Sequence, residues 1–213
     1  MAPPSGERLA PFNVFGMAAS GNCHKVRMAL DLLGLPYRWH EIDLMQGQTR
    51  TPQFLAMNPG GQVPVLGIDE ATFLSESGAI LCYLGEGTAL WPSEALARAR
   101  MFQWMFFEQY SHEPCIAVAR FIMVFLKQPD HARLPELHRR GGLALDVMEH
   151  HLQGAEFFPG PRLSLADLAL FAYTHRADEG GFDLARYPAV QAWLARCQRQ
   201  PGISVMAPMP PAP

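Results

Sequence analysis

Phe12-Asn13-Val14-Phe15-Gly16-Met17-Ala18-Ala19-Ser20-Gly21-Asn22-Cys23-His24-Lys25-Val26-Arg27-Met28-Ala29-Leu30-Asp31-Leu32-Leu33-Gly34 reads as a strand, a small-residue loop and a helix, in that order. Phe12 to Phe15 has the composition of a short strand. Val26, Ala29, Leu30 and Leu33 recur at i, i+3, i+4 and i+7, so a helix over Cys23 to Leu33 buries that face. Gly34 follows as its C′ residue, and Pro36 prevents continuation.

The same texture continues outward. Tyr37 to Asp43 alternates enough for a second strand, and Thr51-Pro52 supplies an N-cap and an N1 proline for a short helix through Met57. Val63 to Ile68 and Ala71 to Leu74 read as strands around a turn at Asp69-Glu70, and Ser77 to Gly85 as a helix. Strand-helix-strand, hairpin and helix make an α/β module with a crossover connection, expected over residues 10–88. Ala89 to Ser93, with Trp91-Pro92, reads as a linker.

Beyond the linker the β signal disappears, so residues 94–205 are expected to be all-α. Glu94 to Leu126 is long and apolar, and Pro114 must kink or split it. Helices are expected over Leu137 to Leu152, Leu163 to Tyr173 and Ala189 to Gln200. Ser164 and Asp167 form a capping box with Asp in the Glu position, read as a folding signal. Met206 to Pro213 reads as a frayed tail.

Composition narrows the function. Of 213 residues, 49% are hydrophobic and 17% charged, which suits an ordered globular chain. A net charge of -3 gives no electrostatic reason to expect nucleic acid or an anionic membrane as partner. Met1 to Pro11 reads as a short arm rather than a signal segment. The longest apolar run, Ile116 to Leu126, is too short to span a bilayer and is interrupted by Arg120. Cys23, Cys82, Cys115 and Cys197 are far apart in sequence, which suits a reducing cytoplasm. His131, His138, His150 and His151 lack metal-ligand spacing and are expected at the surface, so no metal is expected.

Three features of the first half carry chemistry. Ser20 and Asn22 precede or open a helix, whose N-terminal N–H groups favour negative charge. A hydroxyl there either caps the helix or donates to a bound thiol and helps it ionise. In Asn58-Pro59-Gly60-Gly61-Gln62-Val63-Pro64-Val65-Leu66, Pro64 cannot donate to a ladder. A cis Val63–Pro64 bond would turn the Val63 backbone outward toward a peptide-like ligand, though the isomer is not readable from sequence. In Ser75-Glu76-Ser77, Ser77 is a natural N-cap, while Glu76 suits an ammonium and the helix start a carboxylate. An amino-acid head group carries both charges.

Ser20-Gly-Asn-Cys-His-Lys-Val-Arg27, Asn58-Pro59 to Val63-Pro64-Val65-Leu66, Glu76-Ser77-Gly-Ala-Ile80 to Tyr83-Leu84, and Ser164-Leu-Ala-Asp167 together resemble bacterial cytosolic glutathione transferases. The resemblance is to serine-type, theta- or nu-like members, and it covers nearly the whole chain. It implies a thioredoxin-like N-terminal domain, an all-helical C-terminal domain and a cytoplasmic homodimer acting in detoxification. It further implies glutathione as co-substrate and a small hydrophobic electrophile as partner. By position, Ser20 activates the thiol with Asn22 as a second donor. Gln62, Val63 and Pro64 hold the peptide backbone, Glu76 and Ser77 the γ-glutamyl group, and Gln48 the glycyl end. Gln62 stands where many relatives place lysine, which weakens charge pairing to the glycyl carboxylate.

The first C-terminal helix is expected to wall the second-substrate pocket with Phe107, Tyr110, His112 and Arg120, or to use those aromatics for core packing. Arg120 lies in an apolar run and needs a partner, in a site or in a salt bridge. Lowering a thiol pKa from about 8.5 to about 6.5 raises the thiolate fraction about 25-fold at neutral pH. The accompanying loss of nucleophilicity is roughly 6- to 10-fold, so the net gain is only a few-fold. Positioning of the electrophile must supply the rest. Two other readings stay open: a glutathione-dependent disulfide oxidoreductase or peroxidase, through Cys23 or without any protein cysteine, and a binding protein of the same fold.

Overall fold

The computed structural model describes residues 11–206. The expected arm before Pro11 and the tail after Met206 lie outside them. The described residues divide into two units, 11–88 with 201–206, and 89–200.

The first unit holds a four-stranded sheet in the order β2-β1-β3-β4. Its strands are β1 (Phe12–Gly16), β2 (Tyr37–Glu41), β3 (Val65–Gly67) and β4 (Phe73–Ser75). β1 runs parallel to β2 and antiparallel to β3, and β3 antiparallel to β4. The parallel pair requires a crossover, supplied by α1 (Gly21–Leu33). Ser20 caps α1, and Gly34, at φ 64°, ends it by donating to the carbonyls of Asp31 and Leu30. Thr51 accepts from Phe54 N and opens α2 (Pro52–Met57). α3 (Ser77–Gly85) closes the module. Val14, Val26, Leu30, Leu66, Ile80 and Leu81 are fully buried and form its core. Each such burial stabilises the fold by roughly 1.5–3 kcal/mol.

β3 and β4 are shorter than expected. Pro64 has no N–H for the ladder, and the Asp69 side chain takes the N–H groups of Ala71 and Thr72 into a turn. Of the expected tail, only Met206 falls among the described residues. Ile203 and Met206 are buried, and Ser204 O lies 2.7 Å from His24 Nε2 on α1.

The second unit is helical. The expected run from Glu94 is continuous from α4 (Ala95–Phe107) through α5 (Glu113–Arg120) to Phe125. It is split by a wide π-type turn over Glu108–His112, with a second over Phe121–Phe125. Pro114 follows directly on the first of these wide turns, which interrupts the regular helical bonding where its N–H is missing. α6 (Leu134–Leu152), α7 (Leu165–Thr174) and α8 (Pro188–Gln198) complete the unit. Among the described residues, no helix is long and apolar enough to cross a membrane.

The Ser164–Asp167 capping box forms, with Ser164 N donating to Asp167 Oδ2 at 2.8 Å and Ala166 N to Ser164 Oγ at 3.2 Å. It also does more than cap. Asp167 Oδ1 accepts from Phe158 N at 2.8 Å and from Trp193 Nε1 on α8 at 2.9 Å. Burial raises the Asp167 carboxyl to about 7 against the pull of these donors.

Candidate active site

The sheet register brings the three motifs to one end of the first unit. Gly16 ends β1 opposite Glu41, and Phe15 pairs with Val65, the first residue of β3. Val65 in turn pairs with Ser75, the last residue of β4. The loop to Ser20, the Val63–Pro64 entry and the Glu76–Ser77 exit therefore meet the sheet at the same end of its strands. The N-termini of α1 and α3 open at that end, where their N–H groups favour anions.

Ser20 Oγ accepts from Cys23 N at 3.5 Å, a long capping bond. A hydroxyl carries one donor and two acceptor positions, so capping leaves its proton able to donate to a thiolate. The two readings of Ser20 are compatible. Cys23 itself is fully buried, and burial pushes its thiol up to about 11 against a smaller lowering by Ser20. Such a thiol is almost wholly protonated at neutral pH, so it is poorly suited to attack.

Asn22 joins the two helix starts. Its Oδ1 accepts from Lys25 Nζ at 2.8 Å and from Ser77 Oγ at 3.3 Å. Ser77 is not the N-cap expected from sequence. It is the first residue of α3, and Glu76 occupies the cap position at φ 67° with no side-chain capping bond. A non-glycine residue held there costs on the order of 1–3 kcal/mol, a conformation found disproportionately at ligand sites. Glu76 is exposed while Ser77 is buried.

The Val63–Pro64 bond is cis. Val63 is half-buried and lies outside the β3 ladder, and Gln62 is exposed, its carbonyl accepting from Asn58 Nδ2 at 2.8 Å. Gln48 is exposed, and its Oε1 accepts from Asp43 N at 2.8 Å, closing the 43–48 loop.

The four residues expected around a second substrate have different environments within the helical unit. Phe107 is half-buried against Trp104, and Tyr110 is 80% exposed. His112 is fully buried and 2.9 Å from Thr174 Oγ1 on α7. Arg120 is 2% exposed and donates from Nε to Glu179 Oε2 at 2.6 Å, the partner its burial demanded. Two of the histidines expected at the surface are also engaged inside this unit. His151 stacks on Phe158, and His138 Nε2 lies 2.8 Å from Gly180 O. Among the described residues, no group of three or more His, Cys, Asp or Glu side chains could hold a metal ion.

This sheet topology, with two helix N-termini beside a hydroxyl at one end, presents N–H and O–H donors suited to an anion. The glutathione S-transferase N-terminal domain family matches residues 19–86, and the glutathione S-transferase C-terminal domain family matches residues 107–201. The chain belongs to the glutathione S-transferase family. A glutathione S-transferase structure from Pseudomonas fluorescens Pf-5 is 50% identical, covers 92% of this chain and 99% of its own, and superposes with a TM-score of 0.90. A glutathione transferase from Burkholderia graminis, solved with two glutathione molecules bound per subunit, is 26% identical. It covers 90% of this chain and 85% of its own, with a TM-score of 0.79. The disulfide-bond oxidoreductase YfcG of Escherichia coli (strain K12) is 29% identical over 192 residues, 86% of this chain and 89% of the relative.

Proposed function

We propose that this chain is a serine-type, theta- or nu-like glutathione transferase. Ser20 Oγ donates to the sulfur of glutathione, with Asn22 as a second donor. Gln62, Val63 and Pro64 hold the peptide backbone, and Glu76 and Ser77 take the γ-glutamyl ammonium and carboxylate. Gln48 serves the glycyl end. The thiol proton leaves to solvent, the thiolate attacks a small hydrophobic electrophile, and the leaving group departs with the bonding electrons. Glutathione is the co-substrate, and the step needs no metal.

The observation that carries this reading is the arrival of three separate segments at one end of the sheet, beside two helix N-termini. Phe107 and Tyr110 are the aromatic contacts proposed for the electrophile. His112 and Arg120 contribute through the helices they hold. The family likeness supports a cytoplasmic homodimer acting in detoxification.

A second reading is favoured by the likeness to YfcG. In disulfide reduction, a first glutathione thiolate attacks a disulfide sulfur and expels a thiolate. A second glutathione thiolate then attacks the glutathione sulfur of the mixed disulfide, forming glutathione disulfide and expelling the second product thiolate, which takes a proton from solvent. The Burkholderia graminis relative holds two glutathione molecules per subunit, the number this reaction consumes. With Cys23 buried, Ser20 and Asn22 would serve here too, without a protein cysteine.

Calorimetric titration with glutathione at millimolar concentration tests the site. Parallel assays with an aryl halide and with a small disulfide then separate the two reactions. No heat of binding would leave only the fold, and faster disulfide turnover would favour the second reading.

A further inference from the structure

We propose that Glu41, the last residue of β2, is a positioning residue for Ser20, an inference that rests on the thiol-activating role given to Ser20 above. The loop between β1 and α1 must hold one hydroxyl steady beside a sulfur. Its backbone makes a turn, Ser20 N donating to Met17 O at 2.9 Å, and Ile42 N donates to Gly16 O at 2.9 Å where the loop begins. The side-chain hold on its middle comes from Glu41, whose Oε1 accepts from Ala18 N at 2.9 Å. The same carboxylate takes Trp39 Nε1 on its other oxygen, Oε2, at 2.6 Å. Trp39 is in turn fixed by the Arg27 guanidinium, 4.0 Å from its ring centroid. Arg27 stands on α1, the helix that Ser20 caps.

The chemistry explains why the residue is glutamate. Two N–H donors converge on two oxygens, and only a carboxylate accepts on both sides. Glutamine would satisfy one donor and turn an NH₂ group toward the other. Removing the indole donor should therefore make glutamine sufficient.

Four variants test this: Glu41→Ala, Glu41→Gln, Trp39→Phe and the double variant Trp39→Phe/Glu41→Gln. Each is assayed for glutathione affinity by calorimetry and for kcat with the better electrophile or disulfide. Glu41→Ala is expected to lower kcat about 10-fold while glutathione Kd stays within about twofold, because Val63, Glu76 and Ser77 still hold the peptide. Glu41→Gln is expected to fall to a similar level, and adding Trp39→Phe to restore kcat to within about threefold of wild type. A general loss of folding would not be rescued by a second deletion. Unchanged kcat in Glu41→Ala, or no rescue of Glu41→Gln, overturns the role of Glu41 in a protein that binds glutathione normally. Failure of the wild type to bind glutathione overturns the site itself and this role with it.

Discussion

Ser77 Oγ donates to Asn22 Oδ1 across 3.3 Å, tying the first turn of α3 to the first turn of α1. The proposed thiol and γ-glutamyl subsites are thus bonded to each other before any ligand arrives. Lys25 Nζ, 2.8 Å from the same oxygen, adds a charged donor from within α1.

That bond should appear as thermodynamic coupling. Asn22→Ala and Ser77→Ala are each expected to weaken glutathione binding, and together by less than the sum. A coupling of roughly 0.5–1.5 kcal/mol is the size a single side-chain hydrogen bond supports. A double-mutant cycle on glutathione Kd measures it. Strict additivity would mean that the two subsites act independently.

Ser20 and Cys23 should separate cleanly. Ser20→Ala is expected to lower kcat/KM about 10-fold, the worth of one hydrogen bond to an anionic sulfur. Cys23→Ala is expected to keep activity within about twofold while costing about 1 kcal/mol of stability from lost core packing. Steady-state kinetics with urea unfolding decide the matter. A Cys23→Ala variant that loses disulfide reduction alone would return the cysteine to the mechanism.

Asp167 gives the helical unit a pH-dependent stability. Its carboxyl sits at about 7 in the fold, above the ordinary value of 3.8. Between those values the folded chain holds the proton more tightly than the unfolded one. The resulting stabilisation is complete below about pH 4 and is lost as pH rises through about 7, at up to about 1.4 kcal/mol per pH unit. Asp167→Asn removes this slope and costs about 1–3 kcal/mol, because its NH₂ faces a donor. Urea midpoints at pH 5 and pH 7.5 for both proteins check the sign. Equal pH slopes in the two would exclude Asp167 as the source.

Arg120→Met should destabilise the fold by about 2 kcal/mol, because the Glu179 carboxylate, 17% exposed, loses its 2.6 Å partner and keeps the longer 3.7 Å contact with Arg176 Nε. Adding Glu179→Gln should recover at least a third of that loss. Chemical denaturation of both variants measures it, and a double variant less stable than the single one would contradict the pairing.

The parts legible in the sequence were those governed by neighbours three or four residues apart. Ser20, Thr51 and Ser164 cap helices, Gly34 ends one at positive φ, and the apolar periodicity of α1 follows its buried face. Ser77 is not the N-cap its residue type suggests, because its neighbour Glu76 takes a positive φ that no local rule anticipates. Lys25 is 1% exposed although lysine ordinarily marks a surface. Glu41 carried no signal, being one polar residue at a strand end, until the sheet set it beside Ala18.

The sequence by itself determined the α/β and helical halves, most helix boundaries and the residue types at the ligand end. These follow from capping, periodicity and the missing N–H of proline, all of which act within a turn or two of chain. Tertiary structure decided which of those residues meet. Asn22 and Ser77 are 55 positions apart, His112 and Thr174 are 62 apart, and Arg120 and Glu179 are 59 apart. Such pairs depend on strand register and helix packing, which sum many weak contacts over the whole unit. It was the packing, too, that buried the Cys23 thiol and raised it to about 11.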